Sequence, residues 1–236
     1  MARVQPSRMG ILTLVVGLCA ASTVCLALIS VRIRMTGSDE FTFMRWNLAL
    51  AWLPMVFALL LTFAWRAHLP RVAAILFAAL WLLFLPNAPY LVTDVVHVGT
   101  PWASAPLWFD LTMFAAFGAT GLLIGYGSLY LVHAVISARF GAAVGWSASS
   151  AAMALTGVGI YLGRVLRLNS WDAFTRPDTL AAIVHRRLTN PVGHPELYPL
   201  IGVMVLLLMA GYALFYISTR AARNAVTRRS MHGLSR

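Results

Sequence analysis

The chain contains no lysine, only seven acidic residues and only two cysteines. The shortage of charge excludes an ordinary soluble enzyme. Charged residues make up 11% of the sequence and hydrophobic ones 60%, against about 25% and 45–50% in a typical soluble domain. A globular protein must still show most of its area to water, so this much apolar surface has nowhere to hide. A disordered chain is excluded on the same ground. With a mean hydropathy of +0.79, the bilayer is the solvent. The cysteines, Cys19 and Cys25, share one apolar run. Six positions on a helix is about 9 Å of rise, too far for a disulfide, so both read as packing residues.

Without lysine, all eighteen cations are arginine, and the formal charge is +11. In a soluble protein that balance points to nucleic acid. Here the arginines flank apolar runs, which makes them helix-end anchors and contacts for anionic lipid at the cytoplasmic face, with no nucleic-acid partner. The sequence names no protein partner. Two catalytic signatures are missing as well, HExxH and GxSxG. No internal repeat is visible, which weakens an inverted-repeat transporter.

What is there is a series of apolar segments of spanning or near-spanning length, about 10–31, 47–65, 72–86, 107–136, 142–163 and 198–219. The pattern predicts an all-α polytopic bundle of about six transmembrane helices plus short interfacial helices, a single domain with a basic cytoplasmic tail over 220–236. The first run, uncharged from Met9 to Val31, exceeds a signal-peptide core of about 7–15 residues and reads as a retained helix. The third run is short and ends at Pro86. Pro177 to Leu188 places Leu180, Ile183, Val184 and Leu188 on one stripe, the pattern of an amphipathic helix on the membrane surface. Gly121/Gly125, Gly141/Gly145 and Gly159/Gly163 have the four-residue spacing that permits close helix approach.

Six spans put both termini on the side of the 66–71 and 137–141 connections. That side holds ten arginines and the other eight, while all seven acids fall on or near the second side. The basic excess favours cytoplasmic termini.

Polar chemistry gathers in two strings on the second side. After segment three, a helix opened by Pro89 and closed by Gly99 puts Tyr90, Asp94 and His97 at i, i+4 and i+7, one face, with Asn87 just before it and Thr93 beside it. At the end of segment five, Arg164, Arg167 and Trp171 share a face, followed closely by Asn169 and Asp172. Asp110 enters segment four nearby. Polar side chains amid leucine and valine need a shared partner, since buried polar groups without one are costly.

Leu85-Pro86-Asn87-Ala88-Pro89-Tyr90 with Thr93-Asp94 and His97, Gly163-Arg164 with Asn169-Ser170-Trp171-Asp172, and Trp108-Phe109-Asp110 resemble an uncharacterised bacterial multi-pass membrane-protein family, the domain of unknown function numbered 1361. The likeness runs from about segment two to segment six. It implies a multi-pass protein of the bacterial inner membrane and brings no established activity.

Three functional readings follow from the residues. In the first, a membrane enzyme acts on a lipid or envelope substrate. There Asp94, His97, Asp110 and Asp172 hold a divalent ion, or Asp94 orients His97 as general base. Asn87, Tyr90, Thr93, Arg164, Arg167, Asn169 and Trp171 then form the ligand-binding wall, the arginines gripping a phosphate or carboxylate. In the second, the cluster is an internal clamp of a non-catalytic assembly protein, with Asp94 paired to Arg164. The third, a small-solute transporter, lacks polar residues at mid-span. His133 and His68, each alone near a helix end, read as interfacial.

Overall fold

The computed structural model describes residues 6–99, 105–166, 175–189 and 197–233. The described residues form helices and turns, with no strand among them. Helix α1 runs Arg8–Thr36, α2 Phe43–Arg66, α3 Arg71–Phe84, α4 Asn87–Thr93, α5 Leu107–Phe140, α6 Ala142–Leu166, α7 Pro177–Thr189 and α8 Leu197–Gly233. A 3-10 turn, Asp94–His97, continues α4. Six stretches are long and apolar enough to cross a membrane: α1, α2, the composite Arg71–His97, α5, most of α6, and Tyr198–Ala222 of α8. The chain is an all-α multi-pass membrane protein.

Local chemistry sets the helix ends. Ser7 caps α1 by accepting from the Gly10 N–H at 3.0 Å. At the other end Gly37, at φ 67°, returns its N–H to the Ile33 carbonyl. At Pro86, where the third apolar run ends, the helix breaks. Proline has no N–H to give to the preceding turn, so α3 stops at Phe84, and α4 starts at Asn87 and carries the span on to His97.

Helix α5 is the axis of the bundle and packs against α1, α2, α4, α6 and α8. Met113, Phe117, Ile124, Leu129 and Leu131 are buried along it, as expected of a helix that is apolar all round. Helix α1 meets it with Leu18, Ser22, Cys25, Ile29 and Arg32, a four-three-four-three seam. Apolar burial does not drive helices together in lipid, so close approach matters more. Gly118, Gly121 and Gly125 form the groove that receives α4. A Cβ at 118 would sit 3.3 Å from Val92 Cα, and one at 125 would sit 3.3 Å from Ala88 Cβ. A Cβ at 121 would run into the Ala88 carbonyl. On the opposite flank, a Cβ at Gly159 of α6 would lie 2.8 Å from Pro86 Cβ. The broken span is thus wedged between α5 and α6.

Helix α7 forms where the amphipathic stripe predicts it. Ile183 and Val184 are half-buried, while Asp178, His185 and Arg186 are exposed. His133 corrects the sequence reading in that it is not alone. It is 2% exposed, its Nδ1 lies 2.7 Å from the Tyr212 hydroxyl, and its ring stacks on Tyr216 at 5.1 Å. Trp146 closes the cluster edge-on at 4.9 Å. The partners come from α6 and α8, which α5 reaches only through the fold, so no local spacing announced them.

Candidate functional site

The end of the bundle where α1 stops and α2 begins carries two ion pairs. The first is built on the broken span. Asp94 is 1% exposed, and its two carboxylate oxygens are divided between neighbouring elements. Oδ2 accepts from the Asn47 amide of α2 at 3.0 Å, and Oδ1 accepts from Arg164 Nη1 of α6 at 3.4 Å. Arg164 covers the whole polar face predicted for this segment. Its Nη1 also donates to the Tyr90 hydroxyl at 3.4 Å, and its Nη2 donates to the Thr93 carbonyl at 2.7 Å and lies 3.5 Å from His97 Nδ1. The guanidinium carbon stands 5.7 Å from the Tyr90 ring centroid. Tyr90, Asp94 and His97 therefore do share a face, and one arginine reads it.

His97 meets the Asp94 main chain. Its Nδ1 lies 3.0 Å from the Asp94 main-chain carbonyl. The carboxylate turns instead toward Asn47 and Arg164, because a buried anion is stabilised most by donors that reach both oxygens. Nδ1 thus faces both the Asp94 carbonyl at 3.0 Å and Arg164 Nη2 at 3.5 Å. Phe43 of α2 flanks the imidazole with ring centroids 5.2 Å apart. Thr93 Oγ1 donates to the Tyr90 carbonyl at 2.7 Å, so the threonine side chain secures α4 while its own carbonyl meets Arg164. Asn87 opens α4 and is half-buried.

The second pair was not foreseen. Asp110, a candidate metal ligand on sequence grounds, is engaged by Arg32 of α1, whose Nε donates to Oδ1 at 2.8 Å and Nη2 to Oδ2 at 3.4 Å. Both side chains are 1% exposed. Phe41 lies under the guanidinium at 4.1 Å and contacts Phe43 edge-on at 6.2 Å, linking this pair to the aromatic ring beside His97. No group of three His, Cys, Asp or Glu side chains able to hold a metal occurs among the described residues. Arg167, Asn169, Trp171 and Asp172 lie outside the described residues.

Sequence reasoning missed Arg32 and Asn47. Arg32 had a readable signal, since it is the last position of the four-three-four-three seam that buries Leu18 to Ile29 and so faces the core. Asn47 offered less, a single amide one position before the buried Leu48 at the start of an apolar run.

A multi-pass helix bundle with an ionic centre at one end is the class that fold and site define. The chain belongs to the family described as "Protein of unknown function (DUF1361)", whose model matches residues 46–211. That stretch holds Asn47, Tyr90, Asp94, His97, Asp110 and Arg164, while Arg32 precedes it. No curated protein and no solved structure matches the chain.

Proposed function

We propose that the working site of this protein is the Asp94–Arg164–His97 centre, and that it binds the anionic head group of a lipid or envelope substrate. One observation carries the reading, the contrast between the two ion pairs. Arg32 and Asp110 are both sealed and meet at 2.8 Å, as suits a structural brace. In the other pair the carboxylate is equally sealed, but the Arg164 side chain is 22% exposed and the contact is 3.4 Å. A guanidinium anchored on its inner side by Asp94, Thr93 and Tyr90 keeps an outer side for a bidentate oxyanion. In this reading Arg164 holds the anion with Arg167, Asn169 and Trp171 as further wall residues. Asp94 positions Arg164, and His97 serves as general base. The bundle lies in the bacterial cytoplasmic membrane with both termini inside, a placement supported by the arginine excess on that side.

A second reading, the internal clamp, is favoured by the complete engagement of both Asp94 oxygens. The two part on one experiment. The full chain in nanodiscs is titrated with dihexanoyl phosphatidic acid while thermal unfolding is followed. The site reading expects saturable stabilisation that Arg164→Gln weakens at least tenfold, about 1.4 kcal/mol of binding, with His97→Gln retaining it. Absence of any ligand-induced shift in the parent protein, with Arg164→Gln simply less stable, establishes the clamp and removes the site.

A further inference from the structure

At the end of the bundle away from Asp94, the start of α1 and the end of α2 enclose a cleft of about 420 Å³. Arg8 and Arg66, the first residue of α1 and the last of α2, are among its lining. Ile11 is three residues deeper into α1, Leu59 and Phe63 are seven and three residues deeper into α2, and Thr62 and Ala67 complete the wall. Polarity is therefore graded along the helix axes, with cations at the span ends and apolar side chains toward the span centres.

Among the described residues the charge of the two arginines is uncompensated, since neither has an acidic partner and the ion pairs present there involve Arg32 and Arg164 only. Arg66 Nη2 donates to the Pro6 carbonyl at 2.6 Å, which holds the guanidinium over the cleft. Thr62 Oγ1 donates to the Ala58 carbonyl at 2.8 Å and so contributes no free donor, leaving anion recognition to the arginines. Two guanidinium groups at interfacial depth above an apolar slot match a phosphate ester carrying an acyl chain, whereas a free anion uses only the mouth.

We infer that the Arg8–Arg66 cleft is a binding site for one anionic phospholipid, its phosphate between the two arginines and the upper part of one acyl chain against Ile11, Leu59 and Phe63. The site is separate from the Asp94 centre and does not depend on what that centre does.

The test is native mass spectrometry of the full chain in detergent micelles, titrated in parallel with dioleoyl phosphatidylglycerol, dioleoyl phosphatidylcholine and inorganic phosphate. The parent protein is expected to retain one phosphatidylglycerol at least tenfold more strongly than phosphatidylcholine. The double variant Arg8→Gln/Arg66→Gln loses that preference, and Arg139→Gln, a cation on the same side outside the cleft, keeps it. Arg8 is exposed and has no partner among the described residues, so Arg8→Gln alone tests the site without disturbing the fold and should weaken retention severalfold. Arg66→Lys, which keeps the charge, should preserve most of it. Equal retention of the two lipids, retention of phosphate in place of lipid, or an unchanged preference in Arg8→Gln and the double variant would overturn the assignment.

Discussion

Asp110→Asn is expected to lower the unfolding free energy by about 3–5 kcal/mol, and Arg32→Gln by a similar amount. Each substitution removes one member of a sealed pair and leaves the other without its countercharge in surroundings that exclude water. Arg32 and Asp110 are both 1% exposed. Arg32 already has one nitrogen, Nη1, without an acceptor among the described residues, so the Asp110 carboxylate is its main compensation. The Phe41 face at 4.1 Å adds a cation–π contact, worth about 2 kcal/mol in a dry site, less than the loss of a carboxylate from a sealed pair costs. Replacing the two together, Arg32→Met with Asp110→Leu, should recover much of the loss, because an apolar pair of similar volume carries no desolvation penalty. Denaturation of the purified protein from mild detergent into sodium dodecyl sulfate, followed by circular dichroism, measures all three. Single variants within about 1 kcal/mol of the parent, or a double variant as damaged as the sum of the singles, would show that the pair does not brace α1 against α5.

The difference between what the sequence told and what it hid follows from range. Composition and run length act through the solvent, so six spans and an all-α fold were legible before any contact was known. The shared face of Tyr90, Asp94 and His97 was legible because helical spacing is local, and the approach of Arg164 because an odd or even number of spans decides which ends are neighbours. Pairing within an end is a different problem. Asp110 was a candidate metal ligand by sequence, and the partner it takes depends on how α1 rotates about its axis against α5. That rotation is set by small side chains and by the seam ending in Arg32, whose partner lies 78 residues away. His97 illustrates the same limit at short range. Its Nδ1 meets the Asp94 backbone carbonyl, a contact that residue spacing does not announce, while the carboxylate is hydrogen-bonded by Asn47 and Arg164.

The groove that receives the broken span makes the last prediction sharp, since two glycines in similar helices should respond with opposite signs. Glycine inside a helix is about 0.8–1.0 kcal/mol less favourable than alanine on backbone grounds alone. At Gly17 of α1 a Cβ would meet nothing within 4 Å, so Gly17→Ala is expected to be neutral or stabilising by up to about that amount. At Gly121 the same methyl group meets the Ala88 carbonyl, with Leu91 Cβ at 3.1 Å. The obstacle is backbone, which cannot rotate aside as a side chain can, and it belongs to a helix pinned on its far side by the Gly159–Pro86 contact. Gly121→Ala should therefore cost about 1–3 kcal/mol through overpacking, and Gly121→Val more. Any relief by moving α4 outward shifts Tyr90 and Thr93, which precede Asp94 and bond Arg164. Weaker binding at the Asp94 centre should accompany the loss of stability, whereas Gly17→Ala leaves binding unchanged. The same detergent titration reads the first effect, and the phosphatidic acid titration reads the second. A Gly121→Ala protein as stable as Gly17→Ala would mean that α4 is not seated in the glycine groove, and the wedge that presents Asp94 to Arg164 would have to be rebuilt on other contacts.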